Sequence, residues 1–165
     1  KVKEVKATPP LNAIQLDVVK SAVSIFACEI LQNVLKNIEQ DQSLFNWVKS
    51  EILSLNSLEK VNATWPHMFL VTLAKTQGFA PSTAADGRFF HLKEGVFTNI
   101  PMSANEITTA EETLLLKALL TNAKDYNFYK DVRNGLLDKL IAYFAHHVGG
   151  FRSLKTIEVL RSVLN

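Results

Sequence analysis

The chain has 165 residues, 47% hydrophobic and 21% charged, with six glycines and five prolines, a profile that excludes collagen, low-complexity tracts and intrinsic disorder. Eighteen basic against sixteen acidic side chains leave a formal charge of +2, less basic than a free-standing electrostatic binder of nucleic acid. The single cysteine, Cys28, excludes an internal disulfide framework and a Cys-rich zinc site.

Residues 1–10 alternate Lys and Val before Pro9-Pro10 and read as a strand remnant followed by a stiff linker. From Asp17 to Ile38 the pattern is helical. Val18, Ala22, Phe26, Ile30 and Val34 form one i, i+4 row, and Val19, Val23, Ala27, Leu31 and Leu35 form the next, so this helix belongs at the centre of a core. Asp17 suits its N-cap. A second helix is predicted over Gln42–Leu58, burying Leu44, Phe45, Val48, Ile52 and Leu55. Pro66 fits the first turn of a third, with Phe69, Leu70, Leu73 and Ala74 inward and Gly78 as its stop. Phe89-Phe90-His91-Leu92 and Val96-Phe97 flank Lys93-Glu94-Gly95 as a short hairpin. Thr109, with Glu111 and Glu112 behind it, opens a helix running through Leu114–Leu120. The next helix starts between Tyr126 and Lys130, carries Leu136, Leu137, Leu140, Ile141, Phe144 and Val148, and stops at Gly149-Gly150. Ser153 is the expected cap of a last helix whose Leu154, Ile157, Leu160 and Leu164 face inward. The expectation is one all-α domain of about six helices with a small β-hairpin near residues 89–97.

No apolar run reaches the roughly 18 residues of a membrane span, and the basic start is not followed by the apolar stretch of a signal peptide. The chain opens at Lys1 rather than Met: either an N-terminal portion was removed or it is a piece of something longer.

Catalytic patterns are lacking. The six glycines are scattered, and none precedes a Lys-Ser or Lys-Thr pair to cradle a phosphate. Cys28, between Phe26 and Leu31 and beside Ile25, reads as a structural thiol rather than a nucleophile. Glu111 and Glu112 diverge by about 100° on a helix, which suits an acidic first turn better than an acid–base pair. The four histidines, His67, His91, His146 and His147, contain no i, i+4 pair, so they read as surface or boundary residues and no metal or cofactor is expected. Charge is uneven: residues 104–125 sum to −2 and residues 126–165 to +3. Such a basic stretch suits either phosphate or an acidic peptide, or simply a solvated helix face. Phe89, Phe90 and Phe97 either stack on bases or anchor the hairpin; strand alternation favours anchoring.

Three stretches carry a family resemblance. They are Leu16-Asp17-Val18-Val19-Lys20-Ser21-Ala22 continuing through Phe26, Glu29 and Leu31; Phe90-His91-Leu92-Lys93-Glu94-Gly95-Val96-Phe97; and His147, Gly150-Phe151, Leu154-Lys155 and Glu158-Val159-Leu160-Arg161. Together with Arg133-Asn134 and Leu136-Leu137, their order and spacing resemble the C-terminal helical domain of RecO, the bacterial recombination mediators. The resemblance implies that residues 1–10 are the exit strand or linker of a missing N-terminal OB-fold domain, and that residues 11–165 are the helical domain. It implies a cytoplasmic, nucleoid-associated, non-enzymatic protein that binds DNA, anneals strands and acts with RecR to load RecA. The helical domain would dock the acidic, apolar-ended tail of single-stranded-DNA-binding protein. Some relatives hold zinc with four cysteines near the hairpin, and only Cys28 exists here. Where many relatives carry an acidic residue, this chain has His91. No motif assigns the tail pocket, so Arg133, Arg152, Lys155 and Arg161 are the candidate partner- or DNA-binding residues from charge and position. The alternative is a helical regulatory domain that binds a small molecule in a buried cavity of several hundred Å3, with a broad apolar central helix as its wall.

Overall fold

The computed structural model describes residues 10–37, 40–123 and 128–164, and within them it is mainly α-helical, with seven α-helices and a two-stranded antiparallel sheet. The expected strand remnant at residues 1–9 and the proposed helix end at Ile38 lie outside the described residues. Where one domain was expected, the chain divides into two compact units: Lys1–Ala63 with Leu154–Asn165, and Thr64–Ser153.

The first unit is built on α2 (Val18–Val34), with the short α1 (Asn12–Leu16) before it, a 3-10 turn (Leu35–Asn37) after it, then α3 (Gln42–Ser57) and the C-terminal α7 (Ile157–Leu164). The Asp17 carboxylate accepts the Lys20 N–H at 2.9 Å, and Asp41 caps α3 through Leu44 in the same way. Both α1 and α7 pack on α2. Val23, Phe26 and Ile30 are fully buried, with Ala22, Ala27 and Val34 beside them, so the centre of the two apolar rows is the core. The ends of the rows are not: Val18 and Leu35 lie exposed at the two ends of the helix. Ile25 and Cys28 also point outward, so Cys28 is an exposed thiol rather than the structural one expected. On α3, Leu44 and Leu55 are buried, whereas Phe45 is exposed, because the packed face is narrower than the apolar pattern.

Charge placement explains the rest of this unit. Lys20 and Glu29 are the sole charged residues within α2. Lys20 is buried, and its ammonium donates to the carbonyls of Asn56 and Leu58 at the end of α3. A cation on the carbonyl end of a helix satisfies orphan acceptors and the negative pole of the dipole together. Asn56 also turns its Oδ1 to the Ile14 N–H of α1, 3.2 Å away, tying three helices at one corner. Ser153 does not cap α7, which begins at Ile157, three residues later than a Ser153 cap requires.

The second unit holds α4 (Trp65–Thr76), β1 (Phe89–His91), β2 (Val96–Thr98), α5 (Ala110–Leu120) and α6 (Lys130–His147). Pro66 lies in the first turn of α4. At its other end Gly78 takes φ +79, with Gly78 N–H on the Lys75 carbonyl and Phe79 N–H on the Ala74 carbonyl, the paired bonds of a Schellman stop. Asn122 ends α5 in the same way at φ 51, bonding back to Leu119 while Ala123 bonds to Ala118. Thr109 and Glu112 form a reciprocal capping box at the start of α5.

Helices α4 and α5 pack on α6. Their shared core contains Leu70, Leu73, Leu115, Leu116, Leu136, Leu140 and Phe144. The hairpin pairs Phe89 with Thr98, Phe90 with Phe97 and His91 with Val96. Gly95, at φ +67, closes the turn against the Tyr143 hydroxyl, where a Cβ would come within 3.0 Å. Phe90 and Phe97 point inward and lie 5.3 Å apart between ring centroids, so they anchor the hairpin. Thr108 also bonds the Phe90 backbone, its hydroxyl accepting the Phe90 N–H and its own N–H donating to the Phe90 carbonyl.

Candidate partner-docking site

The four basic residues singled out in the sequence divide between the units, Arg133 and Arg152 in the second and Lys155 and Arg161 in the first. Each pair has its own surroundings.

On α6, Arg133 is half-buried, and its guanidinium donates to the Phe128 carbonyl at 2.7 Å, closing the chain that enters the helix. Its own carbonyl accepts a 2.7 Å hydrogen bond from Nε2 of His67. His67 is buried, not a boundary histidine. Burial drives its pKa down to about 4 against the partial support of that bond, so it is a neutral imidazole joining α4 to α6. Arg133 is therefore committed at both its side chain and its backbone to holding α6. Arg152 follows α6 and is exposed.

The second unit also carries an aromatic cluster on α6. Phe79 stacks parallel on His147 with centroids 5.6 Å apart and meets Phe144 edge-on at 5.1 Å. Tyr143 donates its hydroxyl to the Phe79 carbonyl, and burial pushes its pKa up to about 12. His147 reaches the Leu92 carbonyl at 3.2 Å, so the end of α6 is bonded to the hairpin. On the far edge, Lys117 bonds Asp86 and the Gly87 carbonyl and lies over the Phe97 ring at 5.2 Å. Ile100 and Met102 are exposed on the loop after β2, and Leu114 on α5.

In the first unit, Lys155 is exposed just before α7, and Arg161 pairs with Glu158 one turn back at 3.4 Å. The start of α7 is held from outside its own segment. Glu29 accepts the Lys155 N–H at 2.8 Å on one carboxylate oxygen, and the Thr156 N–H at 3.1 Å and Thr156 hydroxyl at 2.7 Å on the other. Burial alone would raise the Glu29 pKa, but these bonds and the Lys155 charge outweigh it and hold the carboxyl below its usual range.

A hollow of about 610 Å3 lies between Asp17 and Val19, the segment 59–63 and Val163-Leu164 of α7. It opens to solvent and mixes Glu59 and Lys60 with Val61 and Leu164, unlike the enclosed, polar-studded cavity that the small-molecule reading requires. Among the described residues, no group of three or more His, Cys, Asp or Glu gathers as a metal cage, and no helix is long and apolar enough to cross a membrane.

The roles of Lys20, Glu29 and His67 were not legible from charge or spacing. One signal was present for the first two: a charge inside an apolar helix needs a partner.

Comparison with known proteins gives a consistent result. The chain is 31% identical over 168 residues to the DNA repair protein RecO of Flavobacterium psychrophilum, covering 99% of this chain and 69% of that relative. It is 25% identical to the protein of the same name from Azobacteroides pseudotrichonymphae, over 99% of this chain and 70% of the relative. With the Bacteroides fragilis protein of that name it shares 24% identity over the whole chain and 71% of the relative. The match falls on the C-terminal part of these relatives. No protein-family model and no solved structure matches the chain.

Proposed function

The chain belongs to the RecO family of DNA repair proteins, and from that premise we propose that it is a non-enzymatic mediator of recombinational repair whose helical region docks protein partners. The observation that carries this reading is the 31% identity to a RecO protein over 99% of the chain. In the proposed role it acts with RecR to help load RecA on single-stranded DNA and to anneal strands, as a cytoplasmic protein of the nucleoid. DNA contact is assigned mainly to an OB-fold domain N-terminal to residues 11–165, and the helical region receives the acidic tail of single-stranded-DNA-binding protein.

Arg152 and Lys155 are the basic residues best suited to that tail. Both side chains are exposed, whereas Arg133 and Arg161 are half-buried. An exposed ammonium or guanidinium attracts an acidic peptide over roughly a Debye length, about 10 Å at 0.1 M salt, so binding driven by it weakens as salt rises. The test is a fluorescence titration of an Asp-rich peptide with an apolar C-terminus against the whole chain. Arg152→Glu and Lys155→Glu, made separately, are each expected to lower affinity several-fold at low salt and to flatten its salt dependence. Unchanged affinity in either variant removes that residue from the proposal.

A further inference from the structure

Helix α7 has eight residues, far below the roughly 12–15 at which an isolated helix becomes marginally stable in water. Its presence depends on what it touches. Leu160 is buried in the first unit, while Glu158 and Val159 face solvent. The two residues that lead into it are held from the middle of α2, more than 120 residues away in sequence: both oxygens of the Glu29 carboxylate are occupied by Lys155 and Thr156. The clamp fixes the backbone of Lys155 and leaves the Lys155 side chain exposed.

We propose that Glu29 is a positioning residue for partner docking: by clamping the backbone of Lys155 and Thr156 to α2, it holds α7 and presents the Lys155 ammonium to an acidic peptide. The proposal rests on the docking role assigned to Lys155 above. In Glu29→Gln, one carboxylate oxygen becomes an NH2 group that faces N–H donors, so half of the clamp is lost with no change in size. Thr156→Val removes one of the three bonds and leaves the carboxylate intact, while Thr156→Ser keeps all three donors.

Two measurements on the whole chain test this, amide hydrogen exchange and titration with the labelled Asp-rich peptide. Glu29→Gln is expected to speed exchange in residues 157–164 about tenfold and to weaken peptide binding several-fold, with α3 amides unchanged. Thr156→Val should shift both readouts in the same direction by less, and Thr156→Ser should match the parent, so the proposal stays testable if Glu29→Gln misfolds. Unchanged α7 exchange in Glu29→Gln and Thr156→Val overturns the clamp. Faster exchange with undiminished peptide affinity makes Glu29 a helix cap alone and overturns the positioning role. A parent chain that does not take up the peptide ends the docking reading and the positioning role with it, whereas binding equal in parent and variants ends only the latter.

Discussion

At the scale of single residues, buried and half-buried polar groups fasten segments distant in sequence. Lys20 sits on the carbonyl end of α3 and Glu29 on the amide end of α7, each with the sign that the helix dipole favours. His67 joins α4 to α6 as a neutral donor. Its folded pKa of about 4 lies below its ordinary value of 6.5, so the unfolded chain takes up a proton first as the solution is acidified. The contribution of His67 to stability is whole above about pH 6.5 and is lost progressively towards about 4. Urea unfolding should show roughly 2 kcal/mol less stability at pH 5 than at pH 7 from this residue. Glu29 acts in a different window: its carboxyl is held low, so its contribution is present above its ordinary value of 4.5 and disappears only at lower pH. A His67→Leu chain should therefore be less stable at pH 7 but lose less between pH 7 and 5. An equally steep decline in that variant would show that His67 is not the titrating group.

At the scale of elements, the capping box of α5 and a glycine of α6 are one feature. Glu112 receives the Thr109 N–H at 2.8 Å while its own N–H meets the Thr109 hydroxyl at 3.2 Å. The carboxylate is buried against Gly135, where an added Cβ would lie 2.2 Å from Glu112 Oε1. Alanine is better than glycine inside a helix by about 1 kcal/mol, and an N-terminal cap is worth about the same. Gly135→Ala must displace a buried carboxylate as well, so it is expected to destabilise the parent by about 1 kcal/mol. In a Glu112→Ala background the obstacle is gone, and the same substitution should stabilise by up to about 1 kcal/mol. This reversal of sign is read from thermal melts of the four chains, and additive effects would contradict it. The cap itself was legible from Thr109 and the two glutamates. The need for glycine at 135 was not, because the sequence of α6 carries no sign of which side chain approaches it.

At the scale of the whole molecule, chain connectivity separates the two units. The second is one continuous run, Thr64–Ser153, while the first is completed only when the chain returns at Leu154. The second unit has its own buried core, hairpin and capped helices. A fragment of residues 64–153 is expected to keep its helical circular dichroism and melt cooperatively. A fragment of residues 1–63 lacks α7, leaves the Glu29 carboxylate without the Lys155 and Thr156 donors, and should melt broadly. A non-cooperative 64–153 fragment would mean that this unit depends on the remainder of the chain.

The local grammar of this protein is written in its sequence: Asp17, Thr109 and Pro66 begin helices, Gly78 ends one, and Gly95 turns the hairpin. Those signals act over three or four residues, where backbone geometry alone relates neighbours. The ordered motifs also carry its family. Tertiary structure alone decided which apolar residues stay outside, such as Phe45 and Ile25, and how the polar ones are used. Lys20 finds its acceptors 36 and 38 residues away, His67 its acceptor 66 away, and Glu29 its donors 126 and 127 away. Partners at such separations are brought together by packing, which no local periodicity encodes.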